Sequence, residues 1–435
     1  MFVQRRTKRG ILASATLAVS ALAFTAIPAQ AFNVHTVDGV NSNTIKLGIT
    51  IPLTGSAAPG YSKIPSAMTA YFNYVNDNGG VYGRKISLVV KDDAYLPTLA
   101  VAKTNELILK DKVFAVVGAL GTANHLAVAK SVNLGRRGIP DLFLNTGFSN
   151  FADAKKYPTT FSLFPSYVME AKIMGQYLKE NFAGKKLGLI YQADDFGTDA
   201  LAGFKQAGTT FDVKVSYASG SQSAQTAAGW VSKLKAAGAE VVVMFGVTTA
   251  SGAALATSAA LGYKAQWILG SVGGDATTLK AVGVPAVVLT GAIGASFLPA
   301  PTDLTDEYVK FFQGINTKYN GGAVFDNNVL VAMNTAMMTV QALRAAGANP
   351  TRAGLIAALE SKGSTFASAS FSPINYAKGN HVGYNSYWFG AYNSAGELKP
   401  VGGSYSLYTT DSGAGAVVKS ASKRPALPLN GLPSN

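Results

Sequence analysis

Residues 45–76 read IKLGITIPLTGSAAPGYSKIPSAMTAYFNYVN and contain a strand signal, a loop of small residues and a helix signal in direct succession. The apolar run at 45–51 predicts a buried strand. After a loop of Gly, Ser, Ala and Pro, apolar side chains recur at helical spacing and would share one face of a helix. Those side chains are Ile64, Met68, Tyr71, Phe72 and Val75. A strand, loop and helix of this kind cradle a phosphate in some proteins and hold other ligands in others.

The same unit recurs along the chain, and this repetition predicts the fold class. The predicted strands lie at 45–51, 86–91, 113–117 and 139–144, and then at 187–191, 213–217, 240–245, 266–269 and 287–293. Strands that alternate with helices form parallel sheets covered by helices on both faces. Because the polar segment 145–157 separates the two sets, we predict an α/β protein with two doubly wound, Rossmann-like lobes. A helical block at 304–359 and a late strand at 384–392 complete the pattern.

The first 31 residues have the organisation of a cleaved secretory signal. Basic residues at positions 5, 6, 8 and 9 precede an apolar stretch at 11–27, and Ala29-Gln30-Ala31 is a small-x-small cleavage site. We expect cleavage after Ala31 and a periplasmic or secreted product. The rival interpretation, a membrane anchor, is disfavoured because the apolar stretch is short and rich in Ala, Ser and Thr. The pair Arg5-Arg6 leaves the general secretory and twin-arginine routes both open.

Cysteine usage and charge exclude several classes of function. The chain has no cysteine, which excludes disulfides, thiolate metal sites and a lipid anchor on a cysteine. Its 37 Lys and Arg residues against 23 Asp and Glu residues give a formal net charge of +14, and the leader holds four of the positive charges, which leaves +10. The basic residues are scattered rather than clustered, so we expect a solvated basic surface and no nucleic-acid partner.

The loops after the strands are the places to look for a site, because ligands bind at the carboxyl ends of strands in an open parallel sheet. These loops are small, hydroxyl-bearing or aromatic, and they lie at 53–57, 120–124, 145–149, 194–197, 247–249 and 271–275. None contains the Gly-Lys-Ser/Thr ending of a phosphate loop or the spacing of a dinucleotide site, and we expect no cofactor. Loops of the same character at equivalent places in two sheets favour a shared cleft for a small-molecule ligand.

Residues that could carry catalysis have simpler explanations. The histidines stand outside any nucleophile or zinc motif. They are His35, His125 and His381. Asp92-Asp93 and Asp194-Asp195 could act as acid and base or bind a cation, but carboxylates just after strands more often cap helices or close turns. We therefore predict neither a catalytic residue nor a metal site.

A series of segments, in order along the chain, carries a resemblance to a known family. The segments are IKLGITIPLTGSAA, FNYVNDNGGVYGRKISLVVKDDAYLP, VFAVVGALGT, GIPDLFLNTG, PTTFSLFPSYVMEA, LGLIYQADDFGTDAL and LKAAGAEVVVMFG. The turn GGVYGR at 79–84, followed by Asp92-Asp93, is among the more specific of them. From about residue 44 to residue 408, the chain resembles the branched-chain-amino-acid type of periplasmic solute-binding protein, the receptor of an ABC importer.

The resemblance implies two lobes joined by three hinge crossings, with the ligand in the cleft between them. Closure about the hinge would create the surface that a membrane permease recognises. One lobe would consist of 43–163 and 297–365 and the other of 164–296 and 366–411, while the composition of 412–435 predicts a loose tail. We expect a non-enzymatic monomer whose partners are a small-molecule ligand and the permease subunits of an ABC importer.

The resemblance also implies the residues of the first wall. In amino-acid-binding relatives, hydroxyl and N–H groups of the first lobe hold the ligand carboxylate, and Thr122, Asn124, Gly147 and Ser149 fall near those positions. Phe196 falls where an aromatic side chain of the second lobe covers the ligand.

The loop after the first strand adds Ser56 and Tyr61 as wall residues. On the second lobe, relatives hold the α-ammonium with a tyrosine and a glutamate, and here Val247 and Val272 align with them. An ammonium enclosed without an acid loses several kcal/mol, out of the roughly 8 kcal/mol that micromolar binding supplies. We therefore expect an apolar or aromatic carboxylate or a neutral metabolite, unless a shift of about three residues in the alignment brings Asp275 to the place of the acid.

Three alternatives stay open on the sequence. The chain could be a receptor for branched-chain or other amino acids, a ligand-sensing domain of the same fold, or a secreted hydrolase. The sensor needs a partner to carry its signal, and the hydrolase needs a nucleophile, a base and an orienting group that the motifs do not supply.

Overall fold

The computed structural model describes residues 1–2, 37–410, 415–420 and 423–433. The predicted signal at 1–31 and its cleavage site therefore lie outside the described residues, apart from residues 1–2. Within the described part of the chain, no helix combines the length and the apolar character that a bilayer-spanning segment requires.

The first sheet has five parallel strands in the order β2-β1-β3-β4-β5. The strands are β1 (Thr44–Ile51), β2 (Lys85–Asp92), β3 (Ala115–Val117), β4 (Asp141–Leu144) and β5 (Thr160–Ser162). Its helices are α1 (Ala58–Tyr61), α2 (Ile64–Asp77), α3 (Pro97–Asn105), which continues into a π-helical turn at Glu106–Lys110, and α4 (Thr122–Ser131). The apolar side chains of β1 and of the predicted face of α2 are buried, as the sequence pattern predicts.

The second sheet has seven strands in the order β12-β11-β10-β9-β8-β6-β7, and only the pairs β10-β11 and β11-β12 are antiparallel. The strands are β6 (Leu187–Gln192), β7 (Val213–Tyr217), β8 (Val241–Phe245), β9 (Gln266–Leu269), β10 (Ile293–Ser296), β11 (Trp388–Tyr392) and β12 (Leu398–Pro400). Its helices are α5 (Tyr167–Asn181), α6 (Asp195–Gln206), α7 (Ala224–Ala236), α8 (Thr248–Ala260), α9 (Ala276–Ala281) and α10 (Ala286–Leu289).

The helical block returns to the first sheet. It consists of α11 (Glu307–Tyr319), α12 (Asn327–Ala345) and α13 (Arg352–Lys362). Helices α11 and α12 pack on α2, and α13 packs on α12. We call the first sheet with α1–α4 and α11–α13 the first lobe, and the second sheet with α5–α10 the second lobe.

The chain passes between the two lobes in three places: 163–166 (the first crossing), 297–306 (the second crossing) and 366–387 (the third crossing). The predicted fold class, two doubly wound parallel-sheet lobes with three crossings, is confirmed. The finer lobe boundaries, at 43–163 with 297–365 and 164–296 with 366–411, stay a prediction.

Two predicted strands differ from the structure. The segment 287–293 was predicted as a strand from its β-branched residues, but it contains helix α10, and the strand begins only at Ile293. Gly291, with φ +83°, separates the helix from the strand. Val287 is 76% exposed and does not pack against a sheet. The late strand begins at Trp388 rather than at 384, because 384–387 belongs to the third crossing.

Two residues of the C-terminal tail, Arg424 and Gly431, make contacts with the first part of the helical block and with α2. The Arg424 guanidinium pairs with the Asp306 carboxylate and lies 4.5 Å from the centre of the Tyr308 ring. Farther on, the Gly431 carbonyl accepts a 2.8 Å hydrogen bond from the Tyr71 hydroxyl. A short antiparallel pair, β13 (Tyr408–Thr409) with β14 (Val418–Lys419), adds to the order. Arg424 and Gly431 therefore tie the end of the tail to the first lobe, while the Gly415 carbonyl accepts from Lys172 of the second lobe.

Candidate ligand-binding cleft

The loops at the carboxyl ends of the two sheets meet across a cleft. The Tyr61 hydroxyl, at the end of α1 in the first lobe, donates a 3.4 Å hydrogen bond to the Val272 carbonyl, in the loop after β9 of the second lobe. Ser149, just after β4, contacts Asp199 of α6. The structure thus brings the loops after strands of both lobes together, and in this form the lobes touch.

Four tyrosines converge in the cleft, two from each lobe. Tyr61 and Tyr95 belong to the first lobe, Tyr167 and Tyr217 to the second, and all four are buried. Burial raises the pKa of the Tyr61 hydroxyl, and Tyr95, Tyr167, Asp275 and Tyr217 raise it further. All four phenols therefore stay neutral at ordinary pH and present O–H groups and ring faces.

Tyr95 is held in the cleft by the two aspartates that end β2. The Asp92 carboxylate accepts from the Ala94 N–H and the Asp93 carboxylate from the Tyr95 N–H, both at 2.9 Å. Ala94 and Tyr95 both have positive φ, 49° and 62°, a conformation that costs free energy unless its surroundings hold it. Of the capping and turn-closing roles predicted for Asp92-Asp93, the turn-closing one is confirmed, and its result is the placement of Tyr95. Helix α3 has no side-chain cap from either aspartate.

The first-lobe wall is built from the loops after β3 and β4. The Thr122 and Thr146 hydroxyls lie 2.7 Å apart, and Asn124 donates to the Asp93 carboxylate at 3.3 Å. Gly121, before Thr122, has φ +106°, and a Cβ there would lie 2.9 Å from the Tyr95 ring. This wall therefore presents the Thr122 and Thr146 hydroxyls, and the absence of a side chain at Gly121 leaves space for the Tyr95 ring.

Gly147 and Ser56 occupy the ends of this wall. A Cβ on Gly147 would lie 2.2 Å from the Pro165 carbonyl of the first crossing, so only glycine fits there. The Gly147 carbonyl accepts from the Tyr167 N–H at 2.7 Å, which fixes Tyr167 against the wall. Ser56 is half-buried in the loop before α1.

The second-lobe wall is aromatic and aliphatic. The Phe196 ring packs on Tyr167 at 4.5 Å and on Phe245 at 5.1 Å between ring centres. The Tyr217 hydroxyl accepts from the Val247 N–H at 3.1 Å and donates to the Gln192 side-chain oxygen at 3.3 Å. Val247 is buried, and Val272, half-buried, accepts a hydrogen bond from the Thr248 hydroxyl through its carbonyl.

The carboxylates that flank the cleft accept hydrogen bonds from the protein itself. Asp275 accepts from the N–H of Thr278 at 2.7 Å and from the N–H of Asn327, in the first lobe, at 2.8 Å. Asp194 caps α6 by accepting from the Phe196 N–H at 3.1 Å. Burial raises the pKa of Asp275 to about 6, and the nearby Asp326 carboxylate raises it too.

A further buried carboxylate, Glu170, joins the cleft to the hinge. It is 1% exposed and accepts from the Ser271 N–H at 2.5 Å and from the Ser271 hydroxyl at 3.0 Å. The Tyr387 hydroxyl of the third crossing donates to it at 3.1 Å. Burial raises the pKa of Glu170 to about 7. Glu170 therefore connects α5, the loop after β9 and the third crossing.

Sequence reasoning found the loops but missed several residues that matter. Tyr95, Tyr167, Tyr217 and Asp199 were not predicted. Tyr95 had a signal, because it follows Asp92-Asp93 in the more specific of the matching segments, and Tyr217 is the last residue of a predicted strand. Tyr167 and Asp199 also lie in matching segments, PTTFSLFPSYVMEA and LGLIYQADDFGTDAL, but within helices rather than in the loops that follow the strands.

The two sheets face each other across a cleft lined by hydroxyl and aromatic side chains, and three crossings join them. This arrangement is that of a hinged ligand-binding protein. A model of the periplasmic binding protein family matches residues 44–397. The chain therefore belongs to this family, whose members are extracytoplasmic substrate-binding proteins rather than enzymes. The predicted absence of a catalytic role agrees with this membership.

Known relatives extend the comparison. The Leu/Ile/Val-binding protein homolog 3 of Brucella melitensis biotype 1 is 28% identical over 263 residues, which cover 60% of this chain and 70% of that protein. The structure of a branched chain amino acid ABC transporter from Thermus thermophilus with bound valine has a TM-score of 0.74 at 18% identity and covers 86% of this chain and 98% of its own. A fatty acid ABC transporter substrate-binding protein from Thermomonospora curvata has a TM-score of 0.69 at 24% identity, with 90% and 94% covered. At these identities the two structures show a shared fold.

Proposed function

We propose that the protein is the substrate-binding receptor of an ABC importer. It captures a small organic solute between its lobes, closes about the three crossings and delivers the solute to a membrane permease. Family membership and the facing loops of the two lobes support this proposal. The expected ligand sites are the residues of the two walls, with Ser56, Tyr61, Thr122, Asn124, Gly147, Phe196, Val247 and Val272 among them.

The ligand class we propose is an apolar or aromatic carboxylate or a neutral metabolite. The observation that carries it is the chemistry of the second-lobe wall, where Val247 and Val272 offer aliphatic side chains and Asp275 is committed to two backbone N–H groups. An α-ammonium closed in there would lose several kcal/mol for want of a free acid. Neutral tyrosine hydroxyls and ring faces suit a carboxylate or hydroxyl on an apolar frame.

The alternative is a receptor for branched-chain or other amino acids. The name of the Brucella melitensis relative and the valine bound to the Thermus thermophilus neighbour favour it. The Thermomonospora curvata neighbour, described as a fatty acid receptor, makes an aliphatic carboxylate a sensible member of any ligand screen. A ligand-sensing role for the same fold stays a further alternative, and it shares the binding site.

A thermal-shift screen of the purified protein, followed by native mass spectrometry of each hit, tests the proposal. The panel contains aromatic acids, aliphatic acids and amino acids. We expect one-to-one binding and a rise in melting temperature with an aromatic or aliphatic acid. A large rise with leucine or valine and none with the acids would overturn the proposed ligand class. No binding by any panel member, together with the absence of permease genes beside the gene, would argue for the sensor.

Matched tyrosine variants test the site. Tyr217→Phe keeps the ring and removes the hydroxyl that accepts from the Val247 N–H and donates to the Gln192 side chain. Because this hydroxyl positions the second-lobe wall, we expect a dissociation constant about 10-fold weaker, since a hydrogen bond contributes about 1 kcal/mol or more. Tyr263→Phe is the control, because the Tyr263 hydroxyl donates to the Ala239 carbonyl in the same lobe. Equal ligand affinities for the two variants and the parent protein would show that the Tyr217 hydroxyl does not contribute to ligand binding.

A further inference from the structure

Ser149 makes a two-point contact with a carboxylate of the other lobe. Its N–H donates to one oxygen of Asp199 at 2.6 Å, and its hydroxyl donates to the other oxygen at 2.9 Å. Ser149 begins a 3₁₀ turn, Ser149–Ala152, in the loop after β4 of the first lobe. Asp199 lies in α6 of the second lobe and is 7% exposed. Both donors that Ser149 could offer a ligand carboxylate are therefore occupied by a carboxylate of the protein.

This contact exists only while the lobes touch. The turn that begins at Ser149 packs on β5 of the first sheet, and Asp199 lies in α6, which packs on α5 of the second lobe. Movement about the crossings separates the two residues, exposes the Asp199 carboxylate to water and returns the Ser149 N–H to water. A contact within one lobe would survive that movement, but this one cannot.

We propose that Ser149 is a positioning residue for closure, which acts by pairing with Asp199, and that it is not a contact of the ligand. Closure buries the Asp199 carboxylate, and burying a carboxylate without donors costs free energy. The two Ser149 donors offset part of that cost, so they favour the closed form over the open one.

The electrostatics of Asp199 agree with this role. Burial raises the pKa of Asp199 to about 6 in the closed form, the Ser149 N–H and hydroxyl lower it, and Asp195 of the same helix raises it. The carboxylate is therefore mostly ionised at pH 8 and mostly neutral at pH 5. Since hydrogen bonds to an ionised group are the stronger ones, the Ser149 donors matter more at pH 8.

The inference deepens the proposed function, because closure is what that function requires, but its test does not need a ligand. The natural chain has no cysteine, so cysteines at exposed positions of both lobes give specific labels. Ser131→Cys on α4 and Gln206→Cys on α6 supply such a pair. The distance between spin labels then reports the ratio of closed to open molecules.

The decisive comparison is the effect of Ser149→Ala in three backgrounds. In the parent protein at pH 8, we expect the ratio of closed to open molecules to fall about 10-fold. In the Asp199→Asn background the same substitution should have little effect, because the ionised partner is gone. In the Asp195→Asn background it should have its full effect, since Asp195 is exposed and its carboxylate is not the acceptor. At pH 5 the effect in the parent protein should shrink.

Each other outcome overturns the inference. An unchanged distance distribution for Ser149→Ala at pH 8 shows that the contact does not influence closure. An equal effect in the parent and Asp199→Asn backgrounds shows that Ser149 acts through another group. If Ser149→Ala weakens binding of a ligand from the screen without any change in the distances of the ligand-free protein, Ser149 is a ligand contact. Circular dichroism of every variant verifies folding. The distance measurement uses the ligand-free protein, so its result does not depend on whether the ligand screen succeeds.

Discussion

Replacement of Glu170 by glutamine should remove a large part of the pH dependence of stability. Burial raises the pKa of Glu170 from an ordinary value of 4.5 to about 7 in the folded protein. The folded state therefore binds a proton that the unfolded state releases. The resulting stabilisation is fully present below pH 4.5 and is lost as the pH rises through about 7. Between pH 5 and pH 8 this single group should account for about 2.5 kcal/mol of the free energy of unfolding.

The measurement is a series of urea unfolding curves at pH 5, 6, 7 and 8 for the parent protein and for Glu170→Gln. Glutamine keeps an oxygen that accepts from Ser271, and it has no proton to release, so the free energy of the variant relative to the parent should rise with pH by about 2.5 kcal/mol. Glu180→Gln, exposed near the end of the same helix, should leave the pH profile unchanged. Parallel profiles for the parent protein and Glu170→Gln would refute the reasoning.

Two further substitutions test the construction of the cleft and the tail. Gly121→Ala places a Cβ against the Tyr95 ring at a positive φ, so we expect a loss of about 1–3 kcal/mol in stability and weaker ligand binding, measured by thermal unfolding with and without ligand. Unchanged affinity would show that Tyr95 does not need its present position. Arg424→Ala leaves the Asp306 carboxylate without its cation, and we expect a loss of about 3 kcal/mol in urea unfolding. A loss below about 0.5 kcal/mol would show that the tail contributes little.

Much of the fold follows from local pattern, because parallel strands buried on both faces read as apolar runs. Strands β7 and β9 have the predicted bounds, and α2 has the predicted buried face. The strand predicted at 287–293 was wrong for a non-local reason. Its β-branched residues suit a strand, but pairing with the neighbouring strand β9 begins only at Ile293, beyond Gly291. Periodicity describes what a segment favours, and the register of the neighbouring strand decides where it pairs.

The cleft was predictable to a smaller extent. Sequence position alone identifies the loops at the carboxyl ends of the strands, and the structure brings loops of both lobes together. Which atoms face the cleft depends on hydrogen bonds that periodicity does not reveal. Tyr95 turns inward because two aspartates, each two residues before its partner, hold a left-handed backbone. Tyr167 is fixed by a hydrogen bond to Gly147 in the loop of the other lobe, and no spacing rule encodes a contact between lobes.

The placement of Ser149 changes how an anionic ligand would be held. Were Ser149 available, a ligand carboxylate would have a backbone N–H and a hydroxyl in one residue. With both Ser149 donors bound to Asp199, the Thr122 and Thr146 hydroxyls stay in the first-lobe wall, 2.7 Å apart, and the buried tyrosines of both lobes add further hydroxyls. Hydroxyl donors rotate and also accept, so they bind a carboxylate or a neutral oxygen with less discrimination than fixed N–H groups. Selectivity must then come from the shape of the aromatic and aliphatic wall formed by Phe196, Val247 and Val272, which favours ligands distinguished by their apolar part.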